Sequence, residues 1–247
     1  MAVASVETPA SDRDLVRIET AVSSLASEVA KRLEVVYGRV EAAGRRVDDV
    51  RIVAVTKGFG IDAVRASVSA GLVDIGENYG DELIAKASRA PAECRWHYLG
   101  ALQRRKLKHL APIVSVWHSL DRSSALAGVA KVAPGSEVFL QVNVGRIAGR
   151  AGCEPADLDE LYAQSRRAQV RPIGLMAVAP QGSLDEARRC FRWLAGRAHS
   201  LGLNELSMGM SDDFQVALEE GATVLRLGRA LFGERPSQKA QHSYNNV

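Results

Sequence analysis

The stretch RIVAVTK, residues 51 to 57, reads as a short buried β-strand that ends on a lysine, and it is the first of eight such runs. The others are LVDIGEN (72 to 78), RWHYLG (95 to 100), IVSVWHSL (113 to 120), EVFLQVNV (137 to 144), RPIGLMAV (171 to 178), NELSMGMS (204 to 211) and TVLRLGRALF (223 to 232). Segments with helical patterning or helix-start chemistry lie between them, at 61 to 70, 80 to 89, 103 to 110, 122 to 132, 155 to 168, 184 to 200 and 212 to 220. Eight strand and helix alternations are the number that closes a parallel sheet on itself, so the pattern predicts an α/β fold, a single (β/α)8 TIM-type barrel. An open dinucleotide-binding sheet would stop near six strands and carry a glycine-rich turn after the first. Here Gly58-Phe59-Gly60 lacks the third glycine.

Working outward, residues 11 to 44 contain no proline and place Leu15, Ile18, Val22, Leu25, Val29, Leu33 and Val36 at helical spacing, which predicts one long extra N-terminal helix lying across the outside of the barrel. The expected organisation is one barrel domain over residues 11 to 235, helix included, between flexible segments at 1 to 10 and 236 to 247.

Composition narrows the function classes. Hydrophobic residues at 47% and charged residues at 25% are those of an ordinary soluble globular chain, and a mean hydropathy of -0.07 argues against a membrane-embedded one. The first twenty residues lack the charged start and apolar run of a secretory signal, so the expected location is cytoplasmic. The cysteines, Cys94, Cys153 and Cys190, are odd in number and far apart, which fits neither a disulfide framework nor a zinc site; no metal is expected. A net charge of +3 gives no concentrated basic face for nucleic acid, and the short run from Arg104 to His109 reads as a solvated helix face before it reads as a docking patch.

In a barrel of this kind chemistry belongs to the strand ends: Lys57, Glu77, Asn78, His97, Gly100, His118, Ser119, Asn143, Met176, residues 207 to 211, Arg226 and Gly228. A lysine closing an apolar strand either snorkels to water or sits in a pocket that lowers its pKa and frees a nucleophilic amine. Ser207-Met208-Gly209-Met210-Ser211 runs from a strand end toward a helix start, where small residues expose backbone N–H groups to an anion or simply cap a helix. Phosphate sites of barrels commonly lie after strands seven and eight, beside strand one in a closed barrel. Lys57 and that segment together therefore suggest a phosphorylated aldehyde ligand. Glu77 suits a general base or, more commonly, an ion pair, and of Met208 and Met210, two apart on a strand, at least one should be core.

Taken together, AVTKGFG from Ala54, DIGENYGDE from Asp74, WHYLGALQ from Trp96, LQVNV from Leu140, GLM from Gly174, LSMGMSDDF from Leu206 and LRLGRALFG from Leu225 resemble the pyridoxal phosphate homeostasis protein family over roughly residues 51 to 233. The resemblance implies the barrel of the alanine racemase N-terminal domain (fold type III) and a protein that binds pyridoxal 5′-phosphate (PLP), a carrier or regulator of intracellular PLP without robust catalysis of its own. It assigns Lys57 as the Schiff-base lysine and gives the phosphate to Ser211, Gly228 and the backbone of Met208, Gly209 and Met210, with Ser207 among the cofactor-binding residues. Arg226 would face the pyridine nitrogen, with Asn78, His97, Asn143 and Met176 around the ring. An arginine there would keep that nitrogen unprotonated and the cofactor a weak electron sink. The chain departs from the family pattern at Gln103-Arg104-Arg105-Lys106 and at Gly149-Arg150-Ala151-Gly152, both in loops or helix starts.

Two other functions compete. A PLP racemase needs a second base, supplied in the racemases by a tyrosine arriving with a further β-domain across a dimer. Here Tyr244 in the tail is the one tyrosine after the eighth strand, so a monomeric carrier is expected, with PLP-dependent apo-enzymes as its partners. A Schiff-base aldolase on a phosphorylated sugar would use the same lysine and cradle with no cofactor.

Overall fold

The computed structural model describes residues 12 to 235, with side-chain surroundings from Glu19 onward. The two expected flexible segments, and Tyr244 with them, lie outside the described residues. Eight parallel strands form a closed barrel in sequence order: β1 (Arg51–Val55), β2 (Asp74–Glu77), β3 (Arg95–Tyr98), β4 (Val114–Leu120), β5 (Glu137–Val142), β6 (Arg171–Ala177), β7 (Glu205–Ser207) and β8 (Val224–Leu227). Closure runs from Arg51 opposite Val224 to Ala54 opposite Leu227.

Helix α1 (Asp12–Ala42) comes first, and the barrel helices are α2 (Ile61–Ser69), α3 (Gly80–Ala87), α4 (Leu107–Leu110), α5 (Ser123–Val132), α6 (Leu158–Arg167), α7 (Leu184–Ser200), α8 (Phe214–Glu219) and α9 (Arg229–Phe232). On α1, Val29, Leu33, Val36 and Val40 recur every three or four residues and are buried, so one stripe of the helix lies against α2, α8 and α9 over the seam between β8 and β1. Arg32 reinforces it, donating from Nη1 to the Leu231 carbonyl at 3.0 Å.

Alternation along each strand sorts the side chains into two cores. Outward residues such as Ile75, Trp117, Leu140 and Leu175 meet the helices. Inward, Val53, Val116, Phe139, Met176 and Val224 fill the bore. Each such apolar side chain contributes about 1.5–3 kcal/mol by burial, too little to offset an unpaired charge in the same bore, so the bore's polar side chains must be paired.

Three expected boundaries shift. The run 223 to 232 is strand only to Leu227; Gly228 leaves the extended region and the N–H groups of Leu231 and Phe232 turn back to its carbonyl, making α9. The run 204 to 211 leaves the sheet after Ser207, because Gly209 takes φ +88 and Asp213 and Phe214 donate to the Met210 carbonyl. The helix expected over 103 to 110 is confined to Leu107–Leu110: Gln103, Arg104 and Arg105 are exposed and offer no apolar face before Leu107 and Leu110, which are buried.

Candidate functional site

Lys57 is the second residue after β1, half-buried, in line with the inward-facing Val53. Its ammonium has no hydrogen-bond or ion-pair partner among the described residues. Its pKa is lowered, first by burial and then by the positive charges of Arg235 and Arg226, against the pull of Glu77. Glu77 itself faces outward, into a buried group: Lys86 Nζ, on α3, bonds to Glu77 Oε1, to the Thr56 carbonyl at 2.8 Å and to Glu82 at 3.2 Å. Thr56 Oγ1 donates to the same Glu77 oxygen at 2.7 Å. Burial raises the Glu77 pKa against the pull of Lys86 and Thr56. The strand-end carboxylate is thus a pairing group and not a free base, and its pair fixes the strand on which Lys57 sits. Lys86 escaped the sequence reading, although its i,i+4 spacing from Glu82 was a usable signal.

The loops after β7 and β8 are tied together beside this lysine. Arg226 donates its N–H to the Gly209 carbonyl at 3.0 Å, and the Ala230 N–H donates to Ser211 Oγ at 3.0 Å. Gly209, at φ +88, lies so close to Ala217, Leu225 and the Phe214 backbone that a Cβ there would come within 2.7 Å of the nearest atom. The Met208 N–H is spent on the Val224 carbonyl and the Met210 N–H on the Asp213 carboxylate, at 2.6 Å. The N–H groups of Gly209, Ser211 and Arg229 have no acceptor among the described residues, which leaves a cluster of backbone donors open to an anion. Asp213, absent from the sequence reading, has its pKa raised by burial. Met208 is wholly buried, and is the core methionine of the pair.

Arg226 is buried in the bore. Its Nη1 donates to Ser207 Oγ at 2.7 Å and its Nη2 to the Ala177 carbonyl at 2.8 Å, and Nε is left without a partner among the described residues. Burial pushes its pKa down to about 10, so it is still a cation at neutral pH. Below it His118 Nδ1 meets Ser207 Oγ at 2.9 Å, His118 Nε2 meets His97 Nδ1 at 2.8 Å, and His97 Nε2 meets Asp74 Oδ1 at 2.7 Å. Burial lowers both imidazole pKa values, His118 the further, with His97 and Arg226 adding to it.

The remaining expected ring contacts are dispersed. Asn143 is buried and ties its own loop, donating from Nδ2 to Ile147 O at 3.0 Å and to Glu154 at 3.1 Å. Met176 is part of the bore core. Asn78 follows β2, and its carbonyl lies where only a glycine at position 100 leaves room. Gly228 starts α9 against the Val55 carbonyl, the neighbour of Lys57's strand end. Lys57, Arg226, Gly228 and the residues 207 to 211 are therefore brought together, whereas His97 and Asn143 spend their polar atoms elsewhere. Two surface grooves, about 530 Å³ between α1 and α2 and about 370 Å³ beside Arg51 and Glu205 at the strand starts, lie away from this end.

Residues 32 to 236 match the family described as alanine racemase, N-terminal domain. The pyridoxal phosphate homeostasis protein of Pseudomonas aeruginosa is 37% identical over 224 residues, covering 87% of this chain and 97% of that protein. The chain belongs to the pyridoxal phosphate homeostasis protein family. A second member, from Deinococcus radiodurans, is 39% identical over 195 residues, 77% of this chain and 92% of its own. Among solved structures, PipY of Synechococcus elongatus with PLP bound is 32% identical, with a TM-score of 0.72 over 83% of this chain and all of that one. Within the homeostasis family's barrel, Lys57 and the β7 and β8 loops are the elements of this chain whose geometry suits a phosphorylated aldehyde.

Proposed function

We propose that this chain binds PLP at the C-terminal mouth of its barrel, linked through the Lys57 amine, and holds the cofactor for intracellular use without turning over amino acids. The observation that carries the reading is Lys57 itself: a half-buried amine with a lowered pKa and no partner among the described residues, beside a cluster of unspent backbone N–H groups. The donor set fits the group. Gly209, Ser211 and Arg229 N–H would hold the phosphate, the Ser211 hydroxyl would brace that loop, and the Arg226 Nε would face the ring nitrogen. PLP, when bound, supplies a reactive aldehyde and an electron sink. Arg226, a permanent donor, withholds the proton that would strengthen that sink.

The carrier reading gains support from the two bore histidines. Each is hydrogen-bonded at both ring nitrogens, so neither is free to take a proton from a substrate on the face away from Lys57. The proposal extends to a cytoplasmic monomer that passes PLP to apo-enzymes. In keeping with it, among the described residues no helix is long and apolar enough to cross a membrane.

The test is the near-ultraviolet and visible spectrum of the purified protein with added PLP, before and after borohydride reduction, beside Lys57→Ala. A band that reduction fixes covalently at Lys57, with no amino-acid racemisation, supports the proposal. A protein that stays colourless with PLP overturns it.

A further inference from the structure

The polar side chains of the bore form one unbroken line, Asp74, His97, His118, Ser207 and Arg226, from the strand starts to the strand ends. Both ends of that line have a fixed sense. An arginine guanidinium has donors only, so Arg226 Nη1 must donate to Ser207 Oγ. An ionised carboxylate accepts only, and Asp74 is kept ionised: burial alone would raise its pKa, but His97, Arg51 and Arg95 together pull it below the ordinary value.

Every link between those ends follows. Ser207 Oγ keeps a second lone pair, so its O–H is oriented from the other end. His97, kept neutral by burial, donates Nε2–H to Asp74 and leaves Nδ1 to accept; His118 therefore carries its hydrogen on Nε2 and donates it to His97, and its Nδ1 accepts the O–H of Ser207. The His118 ring is held flat by Phe139, stacked at 4.5 Å and 28°. We propose that Asp74, His97, His118 and Ser207 are a one-way hydrogen-bonded relay that positions the Arg226 guanidinium from the opposite end of the barrel.

The relay makes Ser207 Oγ a stronger acceptor than an isolated hydroxyl, because its own proton is drawn toward His118 and ultimately toward a carboxylate. With Nη2 held by the Ala177 carbonyl, the guanidinium plane is fixed by two bonds on one side and presents Nε on the other. Ser207, expected from the sequence among the cofactor-binding residues, becomes a positioning residue acting through Arg226. The consequence for a bound ring rests on the reading of the Proposed function; the relay itself does not.

The experiment therefore begins on cofactor-free, 15N-labelled protein. Long-range 1H–15N correlations are expected to find His97 and His118 both neutral with Nε2 protonated. The Arg226 guanidinium signals are expected to move in Asp74→Asn and in Ser207→Ala, and to return toward wild type in Ser207→Thr, which keeps the hydroxyl. A cationic ring, an Nδ1-protonated tautomer, or Arg226 signals indifferent to these changes overturns the proposal; should Asp74→Asn not fold, the Ser207 pair decides. In the PLP-loaded protein the absorption maximum should shift in Ser207→Ala and recover in Ser207→Thr, with PLP still fixed at Lys57 by borohydride. A wild type that takes up no PLP defeats the proposed function and leaves the relay to be judged on the ring and guanidinium signals.

Discussion

His97 Nδ1 and His118 Nε2 face each other at 2.8 Å in a bore where neither ring is exposed to solvent. Two imidazoles so placed cannot both be charged, and burial lowers the pKa of each from 6.5. In the unfolded chain both return to ordinary values, so at mildly acidic pH the unfolded state binds more protons than the folded one. Stability from this pair is complete above about pH 6.5 and is lost as the pH falls below it, with a slope of at most about 1.4 kcal/mol per pH unit for each proton. Glu77 and Asp213, raised by burial, act in the opposite sense as pH climbs above their ordinary values. The comparison is therefore between wild type and His118→Phe, which keeps the stacking on Phe139. Thermal melts from pH 8 to 5 should fall more steeply for wild type; parallel curves would contradict a neutral buried pair.

The two lysines flanking Glu77 should behave oppositely on truncation. Lys86→Ala leaves Glu77 buried and unpaired and removes the bond to the Thr56 carbonyl, a loss of about 3–5 kcal/mol for a broken buried pair. Lys57→Ala removes an ammonium that has no partner among the described residues and is repelled by Arg226 and Arg235, so the midpoint of denaturation should hold or rise while PLP retention disappears. Urea denaturation of the cofactor-free variants checks both. A Lys57→Ala protein as unstable as Lys86→Ala would mean that Lys57 has a structural partner.

The strands were legible because they are short runs rich in β-branched and apolar residues alternating with helical segments, and Lys57 was legible as the charged residue that closes the first of them. Their ends were less so: the local signals at Ser207 and Leu227 are the single glycines Gly209 and Gly228, and the turns they permit are closed by backbone bonds to the Met210 and Gly228 carbonyls that no local pattern shows. The relay was not legible at all. His118 and Ser207 are 89 residues apart and Asp74 and His97 are 23 apart, and only barrel closure brings them together. His97 was seen as a strand-end residue, but which way its ring nitrogens point depends on two other strands.

The three cysteines should be inert in the folded protein. Burial pushes the Cys153 thiol up to about 12 and, with Glu93 adding, the Cys94 thiol up to about 11, and burial also raises Cys190. Since the thiolate is the reactive form, an aromatic disulfide reagent at pH 8 should titrate fewer than one thiol per native chain, and all three after denaturation. Rapid native reaction of Cys94 would show that its surroundings open in solution.

Gly209 should tolerate no side chain. At φ +88 an alanine carries roughly 1–2 kcal/mol of backbone strain, and its Cβ would sit 2.7 Å from Ala217 Cβ and 3.1 Å from the Phe214 backbone, which cannot move without disturbing α8, adding roughly 1–3 kcal/mol. Gly149 has φ +74 but nothing within 4 Å of such a Cβ, so Gly149→Ala isolates the strain alone, about 1–2 kcal/mol. The difference between the two measures the crowding. Any shift that relieves it must move the Gly209 N–H and, through its carbonyl, the Arg226 N–H, so Gly209→Ala should also weaken retention of PLP while Gly149→Ala leaves it unchanged. Equilibrium denaturation and PLP titration of the two variants side by side decide the matter: equal costs and equal affinities would mean that the loop after β7 has room the packing denies it.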